Sequence, residues 1–253
     1  MKRKRIIPCL LLRNNGLVKT VKFGESKYIG DPINTVKIFN EKEVDELIFL
    51  DIDATKHKTY PPYELIRNLS TECFMPFAYG GGIQSLHQIE KIINSGAEKI
   101  VLNSSVFTEK GFLKSAVEHF GSSTIVVSID VKKEFLKGYT VFIKGGTQST
   151  GKRPVEYAKE IENEGAGEIF LNSIDRDGLM EGYDIELIKN VSNSVKMPVI
   201  ACGGAGRLED FRLAINEGGA SAVSAGSFFV FHGKRHAVLI TYPSQEELSA
   251  LFN

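Results

Sequence analysis

The sequence predicts an α/β protein built as a single (β/α)8 barrel with an internal half-barrel repeat, and three observations support this. The chain has 253 residues, 42% hydrophobic and 25% charged, which fits one large globular domain. Short, continuously apolar runs alternate with longer amphipathic stretches eight times, which is typical of parallel strands covered on both faces. Patterns of the first half recur in the second. The alternation alone would also allow an open doubly wound sheet.

The eight strands are predicted where β-favouring apolar residues run without interruption, at 6–12, 47–52, 74–79, 99–103, 124–130, 168–173, 197–202 and 221–226. Amphipathic stretches predict helices near 32–44, 62–71, 85–95, 109–119, 154–164, 184–193, 207–217 and 245–252. Pro32 and Pro154 stand at first helical positions, and Ser244 with Glu247 forms a capping box for the last helix. A hairpin turning at Lys137-Gly138 is predicted after the fifth strand.

The internal repeat favours the closed barrel. Gly80-Gly81-Gly82 recurs as Gly203-Gly204-Ala205 at an offset of 123, and Asp31-Pro32 matches Arg153-Pro154 at an offset of 122. We interpret residues 1–253 as one domain of two half-barrels, about 1–122 and 123–253. Neither half can bury its own sheet edges, so the two close against each other.

Charge and cysteine content exclude several classes of protein. Thirty-one basic residues balance 31 acidic ones, so neither a nucleic acid nor a membrane surface is expected as a partner. No uncharged apolar run reaches the roughly 18 residues of a membrane span. Cys9, Cys73 and Cys202 are an odd number at wide spacing, which argues against disulfides and zinc and favours the cytoplasm. We expect no metal and no cofactor.

Glycines and short polar residues after the strands predict two phosphate sites. The loops after the strands form the active face of a (β/α)8 barrel. Gly82 and Gly204 lie there in glycine-rich turns that lead into helices, and such turns bind phosphate through backbone N–H groups. Asn103-Ser104 and Gly226-Ser227 follow the neighbouring strands. One site in each half predicts a ligand with a phosphate at each end, unless the glycines only form tight turns.

Carboxylates also end several strands. Asp51, Asp130 and Asp177 stand at or just after strand ends, where a pair of carboxylates across the mouth could exchange protons with a ligand. The repeat predicts a mirror image of Asp130 at position 11, but that residue is Leu11. The alternatives are that an isolated aspartate caps a loop and that Asp177-Gly178 forms a turn.

Four charged residues begin, or directly precede, strands at the opposite end: Arg5, Glu46, Lys99 and Glu168. Two positive and two negative side chains at equal depth could close the bottom of the barrel as a mutually neutralising ring. The alternative is that each is solvated. The five histidines lack sequence partners and are expected at the surface.

Together these segments resemble HisF, the cyclase subunit of imidazole glycerol phosphate synthase. The resemblance runs from residue 4 to about 231. Its motifs are KRIIPCLLL at 4–12, GDP at 30–32, DELIFLDIDA at 45–54, GGGI at 80–83, IDVK at 129–132, GAGEI at 165–169, SIDRDG at 173–178 and ACGGAG at 201–206.

The resemblance implies a lyase/cyclase subunit of a glutamine amidotransferase complex. Its partner in a heterodimer would be a HisH-type glutaminase, whose ammonia passes through the barrel to a bis-phosphorylated ribonucleotide. The products would be imidazole glycerol phosphate and aminoimidazole carboxamide ribotide, intermediates linked to histidine biosynthesis.

The resemblance also assigns site residues by position. It implies phosphate or substrate contacts at Lys19, Asp51, Gly82, Asn103, Ser104, Asp177, Gly178, Gly204, Gly226 and Ser227. It implies an ammonia gate at Arg5, Glu46, Lys99 and Glu168. Asp130 matches one of two catalytic aspartates, and Lys19 is expected in a mobile loop.

The chain departs from the family at the other catalytic aspartate, where it has Leu11. The following Lys-Asp-Gly is replaced within Arg13-Asn14-Asn15-Gly16, and the tail at 231–243 differs. These departures resemble HisF-like proteins of bacterial surface-polysaccharide pathways. That group implies a HisH-like glutaminase, a third, amidotransferase protein, and ammonia supply for acetamidino sugars such as those of lipopolysaccharide O-antigens.

We therefore expect a subunit that delivers ammonia to a phosphorylated acceptor in surface-glycan biosynthesis. Two alternatives remain open. One is a working histidine-pathway cyclase in which another carboxylate, such as Asp51, replaces the missing aspartate. The other is a non-catalytic module that activates the glutaminase allosterically.

Overall fold

Eight parallel strands form the central sheet of the computed structural model, which describes residues 4–233 and 235–252. The strands are β1 (Arg5–Arg13), β2 (Leu47–Asp51), β3 (Phe77–Gly80), β4 (Lys99–Leu102), β5 (Ile125–Glu134), β6 (Glu168–Ser173), β7 (Val199–Cys202) and β8 (Ala222–Ala225). Each pairs in parallel with the next, and β8 pairs with β1, where Ile6 lies opposite Val223. The closed (β/α)8 barrel is confirmed, and the open sheet is wrong. Residues 1–3 and 253 of the predicted half-barrels, and Lys234 of the tail, lie outside the described residues.

A helix follows every strand, as predicted. The helices are α1 (Pro32–Glu41), α2 (Tyr63–Glu72), α3 (Leu86–Asn94), α4 (Phe112–Phe120), α5 (Pro154–Asn163), α6 (Ile185–Ser192), α7 (Leu208–Asn216) and α8 (Gln245–Phe252). The predicted capping box of α8 is present, because the Ser244 hydroxyl accepts the Glu247 N–H at 3.2 Å and Glu247 Oε2 accepts the Ser244 N–H at 2.8 Å. Such caps satisfy backbone groups that a helix end leaves unpaired.

The continuous apolar runs have two buried faces. Ile7 and Phe170 belong to the cluster inside the barrel, whereas Ile6 and Phe49 belong to the larger cluster under the helices. All four side chains are buried. This explains why the strands do not alternate apolar with polar residues.

Two antiparallel extensions project from the ends of the barrel strands. The strand Gly138–Ile143 pairs with the end of β5, which confirms the predicted hairpin. After β1, the strands Gly16–Thr20 and Ser26–Gly30 form an extension that the sequence analysis did not predict. Lys19 therefore lies in a strand of this extension and not in an irregular loop, and the mobility of the segment stays a prediction.

The third strand begins later than predicted. The apolar pair Phe74-Met75 suggested a start at residue 74, but β3 starts at Phe77. The Phe74 side chain is 86% exposed, and its N–H donates to Asn40 Oδ1 at 3.1 Å instead of joining the sheet.

The ladders correct the repeat at the glycine turns. Ile48 pairs with Ala78 in the first half and Phe170 with Ile200 in the second, which is an offset of 122 for β2 and β3 alike. Gly82 therefore corresponds to Gly204, and the predicted offset of 123 is wrong by one residue at these turns. The half-barrel boundaries themselves stay a prediction.

None of the helices within 4–233 and 235–252 combines the length and the apolar character needed to cross a lipid bilayer.

Replacement of Phe170 by alanine should remove about 3–5 kcal/mol of stability, because its fully buried ring packs in the apolar cluster inside the barrel. Phe135→Ala is the matched control, since that ring is 92% exposed, and it should stay within about 0.5 kcal/mol of the parent. Urea unfolding followed by far-UV circular dichroism measures both variants. Equal losses in the two would show that the barrel interior is not packed as described.

Candidate active site

A closed ring of four charged side chains lies at the end of the barrel where the strands begin. Arg5 Nη1 donates to Glu46 Oε2 at 2.6 Å, and Arg5 Nη2 is paired with Glu168 Oε1. Lys99 Nζ lies 3.1 Å from Glu46 Oε1 and 2.9 Å from Glu168 Oε2. Positive and negative residues therefore alternate around the ring, and the expectation that each is separately solvated is wrong.

The ring compensates its own burial. Burial alone lowers the pKa of Arg5, but hydrogen bonds and charges from Glu168 and Glu46 outweigh it, so the pKa is raised. Burial alone raises the pKa of Glu168, but hydrogen bonds from Arg5 and Lys99 outweigh it and the pKa is lowered. Arg5 and Glu168 are thus held in their charged forms at neutral pH.

Asp130 lies at the opposite end, on the inner face of β5. It is 8% exposed, and its carboxylate accepts the Ser128 hydroxyl and the Asn103 amide, each at 3.1 Å. Burial, and secondarily the charge of Asp177, raises the pKa of Asp130 to about 7, although the two hydrogen bonds lower it. A carboxyl group that titrates near neutral pH can both donate and accept a proton.

The residues beside Asp130 divide the mouth into a polar and an apolar side. Asp130 is the ladder partner of Asn172 on the neighbouring strand β6. The corresponding ladder pair in the first half is Leu11 and Leu50. Asn172 is 6% exposed, and its Oδ1 has no hydrogen-bond partner within the described residues. Asn172 was not among the predicted site residues, although it directly precedes the SIDRDG motif at 173–178.

Five of the predicted phosphate residues come together after β6, β7 and β8. One cavity is lined by Asp177, Gly178, Gly204, Gly226 and Ser227, among others. Lys19 reaches the same region, because a Cβ atom on Gly226 would lie only 2.1 Å from Lys19 Nζ. The Lys19 ammonium is buried and donates to the Cys9 carbonyl oxygen at 2.6 Å. A cation thus stands beside backbone N–H groups at a glycine-rich turn, an arrangement suited to an anion.

The extension after β1 holds Lys19 in that position. The Thr20 hydroxyl donates to Asp177 Oδ2 at 3.2 Å, and the Lys22 N–H donates to the Asp177 carbonyl at 3.0 Å. Gly178 permits this contact, since its φ is +74° and an added Cβ would lie 2.4 Å from the Thr20 oxygen. Burial lowers the pKa of Lys19, and the charges of Cys9 and Asp177 act in the opposite direction.

The other predicted phosphate residues line the opposite side of the mouth. Asn103 donates to Asp130, and the Ser104 hydroxyl donates to Asn103 Oδ1 at 3.1 Å. The same hydroxyl accepts the Lys144 N–H at 2.9 Å. Gly82, at a φ of +69°, packs against the segment that follows β2. Two of the predicted phosphate residues, Ser104 and Asn103, are therefore linked to Asp130 by a chain of hydrogen bonds.

Asp51 has a structural task of its own. Its Oδ1 accepts the N–H groups of Asp53 and Ala54 at 3.1 and 3.0 Å, so it caps the loop after β2. Burial raises the pKa of Asp51, and these hydrogen bonds partly oppose the rise.

The remaining candidate residues carry no cluster suited to a metal. Among residues 4–233 and 235–252, no three His, Cys, Asp or Glu side chains are grouped so as to hold an ion. The five histidines, at positions 57, 87, 119, 232 and 236, are exposed, as predicted. Cys9 and Cys202 are free, buried thiols inside the barrel.

Comparison with known proteins agrees with the geometry. The histidine biosynthesis protein family matches residues 5–235. A Pseudomonas aeruginosa protein, provisionally named imidazole glycerol phosphate synthase subunit hisF2, is 52% identical over 248 residues, 98% of this chain and 99% of that relative. A Leptospira borgpetersenii protein, provisionally named subunit HisF of that synthase, is 49% identical over 253 residues, 100% of both chains. An Alkaliphilus metalliredigens protein named imidazole glycerol phosphate synthase subunit HisF is 41% identical over 229 residues, 90% of this chain and 91% of that relative.

The raised pKa of Asp130 predicts a pH-dependent effect of Asp130→Asn. Between the unfolded value of 3.8 and the folded value of about 7, the folded protein binds more protons than the unfolded chain. The parent therefore loses stability as the pH rises through this window, and the uncharged variant does not. From pH 5 to pH 8, Asp130→Asn should gain about 2–3 kcal/mol relative to the parent in urea unfolding.

Asp53→Asn is the control of opposite sign. The hydrogen bond from Arg13 lowers the pKa of Asp53, so its stabilisation is fully present above the unfolded value and is lost only as the pH falls. Its difference from the parent should stay constant between pH 5 and pH 8. A constant difference for Asp130→Asn as well would contradict the raised pKa.

Proposed function

We propose, since the chain belongs to the histidine biosynthesis protein family as a HisF-type synthase subunit, that it conducts ammonia through its barrel to a phosphorylated acceptor in surface-glycan biosynthesis. The ammonia would come from a HisH-type glutaminase that docks at the charged ring. A third, amidotransferase protein would complete the transfer to the sugar. The three cysteines are free thiols, which supports the expected cytoplasmic location.

The observation that carries the proposal is the closed ring of Arg5, Glu46, Lys99 and Glu168. A barrel needs no charges at this depth for its stability, because buried ion pairs seldom stabilise more than apolar residues of similar size. Four compensated charges at the centre of one end instead supply a polar entrance. Movement of Lys99 or Arg5 would open it without leaving either glutamate unpaired.

The barrel interior beyond the ring suits a neutral nucleophile. Ile7, Ile48, Val126, Phe170 and Ile200 belong to one buried apolar cluster there. Transfer of an unpaired ammonium ion into such surroundings is strongly unfavourable, whereas neutral ammonia carries no net charge. The lining therefore favours neutral ammonia over the ammonium ion.

An exposed aromatic residue supports docking at the same end. Phe74 stands just before β3, on the side of the barrel where the ring lies, and is 86% exposed. A large apolar side chain left in solvent beside the entrance is typical of an interface residue. The names of the relatives describe a synthase subunit, which supports a companion subunit for this chain as well.

Leu11 decides the chemistry at the other end. Asp130 faces an acceptor without a second carboxylate across the mouth, and general acid–base help is worth about 100- to 10,000-fold in rate. Cyclase turnover should therefore be severely reduced. Asp130 and Asn172 would position the acceptor, and Lys19 with the glycine turns would hold its phosphate groups.

Asp51 is a poor replacement for the missing aspartate. Its carboxylate already accepts two backbone N–H groups of the loop after β2. The histidine-pathway alternative is supported by the match to the histidine biosynthesis protein family and by the names of the relatives, one of which carries the plain name of the synthase subunit at 41% identity. It predicts that this chain restores growth to a strain lacking its own cyclase subunit.

Leu11→Asp should raise cyclase turnover by about 100-fold or more, because it restores a carboxylate opposite Asp130. The assay supplies ammonium and the bis-phosphorylated ribonucleotide and measures imidazole glycerol phosphate. Leu50→Asp is the matched control, since it adds a carboxylate on the neighbouring strand and should restore little. Parent turnover at the level of ordinary family members would overturn the divergence argument.

Lys99→Met should reduce formation of the aminated acceptor from glutamine, measured with the glutaminase partner present, at least about tenfold. Formation of the same product from added ammonium should change less than about twofold. The reason is that the variant alters the entrance and leaves the acceptor site intact. Lys114→Met, at an exposed position of α4, is the control. Product formed from both sources can be followed by mass spectrometry with nitrogen-15 glutamine. Equal losses from both nitrogen sources would contradict a gate and favour a general structural role.

The allosteric alternative predicts a different result for Asp130→Asn. An activator of the glutaminase needs no acceptor site, so Asp130→Asn would leave pathway output unchanged. Under our proposal the output falls with both nitrogen sources.

A further inference from the structure

A second concave surface lies beside the mouth and has no task in the proposed function. This groove of about 700 Å³ runs between the segment before α2 and the beginning of α3. Tyr60, Tyr63, Gln84, His87 and Lys91 are among the residues that line it. Its volume is in the range of small-molecule sites in proteins.

The groove lies next to the predicted first phosphate site. A Cβ atom on Gly82 would lie 3.0 Å from the Thr59 carbonyl oxygen, so the backbone next to Tyr60 rests directly on that glycine. On the other wall, Gln84 follows Gly82 by two residues, which span at most about 7 Å. One ligand can therefore occupy both places.

The chemistry of the lining suits a flat or faceted ring. The Tyr60 side chain is 77% exposed, and it follows directly on the Thr59 backbone. Lys91 Nζ lies 5.5 Å from the centre of the Tyr63 ring, which adds a cation to the same wall. Exposed aromatic faces bind nucleobases by stacking, and the exposed amide of Gln84 offers both a donor and an acceptor to ring substituents.

The positions of the phosphate site and the groove decide how the phosphate of a shared ligand must be linked to the rest of that ligand. A phosphate monoester is terminal, so its phosphate in the first site would end the ligand there. A ligand that fills the mouth on one side of Gly82 and the groove on the other needs a bridging group between two organic parts. A diphosphate is such a group.

We propose that the chain binds a nucleoside diphosphate sugar, with the diphosphate at Gly82 and Ser104, the sugar in the mouth beside Asp130, and the base on Tyr60. This inference rests on the proposed function for the phosphate site and names the class of its ligand. The sugar then lies where ammonia emerges. The base stays outside the mouth, where it stacks on Tyr60 in the groove.

Calorimetric titration tests the proposal with UDP-N-acetylglucosamine, GDP-mannose and glycerol 3-phosphate. One pyrimidine and one purine are used because stacking tolerates either base. Both nucleotide sugars should bind at least about tenfold tighter than glycerol 3-phosphate. Tyr60→Ala should weaken nucleotide-sugar binding about 5- to 150-fold, and it should leave glycerol 3-phosphate binding unchanged.

Two variants serve as controls. Tyr60→Phe keeps the ring and should keep the affinity. Tyr28→Ala removes a tyrosine that is 66% exposed in the extension after β1, so it should change neither affinity. Tyr60 and Tyr28 are both exposed at the surface, and circular dichroism verifies that the variants at these two positions fold.

The outcomes separate this inference from the proposed function. Binding of glycerol 3-phosphate, with nucleotide sugars no tighter or indifferent to Tyr60→Ala, overturns the groove and leaves the phosphate site. Tyr60-dependent binding of nucleotide sugars without any binding of glycerol 3-phosphate supports the groove and contradicts the phosphate site. Binding of none of the three compounds overturns both.

Discussion

Closure of the sheet between β8 and β1 is the constraint on which every other feature depends. Once Ile6 lies beside Val223, all eight barrel strands run in one direction around a common axis. Residues that begin strands then meet at one end, and residues that end strands meet at the other. Arg5 and Glu168 are 163 positions apart in the chain, and only this closure brings them into contact. The entrance and the mouth are thus consequences of topology, filled afterwards by particular side chains.

The two ends treat buried charge in opposite ways. At the entrance each charge has partners of the opposite sign, so the pKa values of Arg5 and Glu168 move towards their charged forms. At the mouth Asp130 has only neutral hydrogen-bond donors, and burial raises its pKa to about 7. Compensation at one end gives a fixed structure, whereas incomplete compensation at the other leaves a group that exchanges protons near neutral pH. A destabilising carboxylate at the mouth therefore points to chemistry or binding.

Much of the fold could be predicted because strand and helix signals are local. The eight apolar runs, the eight helices and the capping box at Ser244 needed no knowledge of contacts. The extension carrying Lys19 was not predicted, since a lysine next to Val18 and Thr20 looks solvated in sequence, and only the fold shows that Gly226 leaves room for it. Phe74 misled the prediction of β3, because an apolar residue that begins a buried strand and one that stays in solvent look alike in sequence. The roles of the predicted site residues stay predictions, and Asn172 was missed because a single amide in an apolar run has no periodic signal.

The difference between the halves of the barrel is more informative than their likeness. In corresponding strand ladders, Leu11 is paired with Leu50 in the first half and Asp130 with Asn172 in the second. A reaction that needs a second carboxylate across the mouth from Asp130, at position 11, lacks that group here, since Leu11 can neither donate nor accept a proton. A ligand held by polar contacts to β5 and β6, with an apolar surface against β1 and β2, matches it well. Under the proposed function, Leu11 thus changes more than a single catalytic group, because the mouth then suits acceptors that need positioning and a nucleophile more than proton transfer across the mouth.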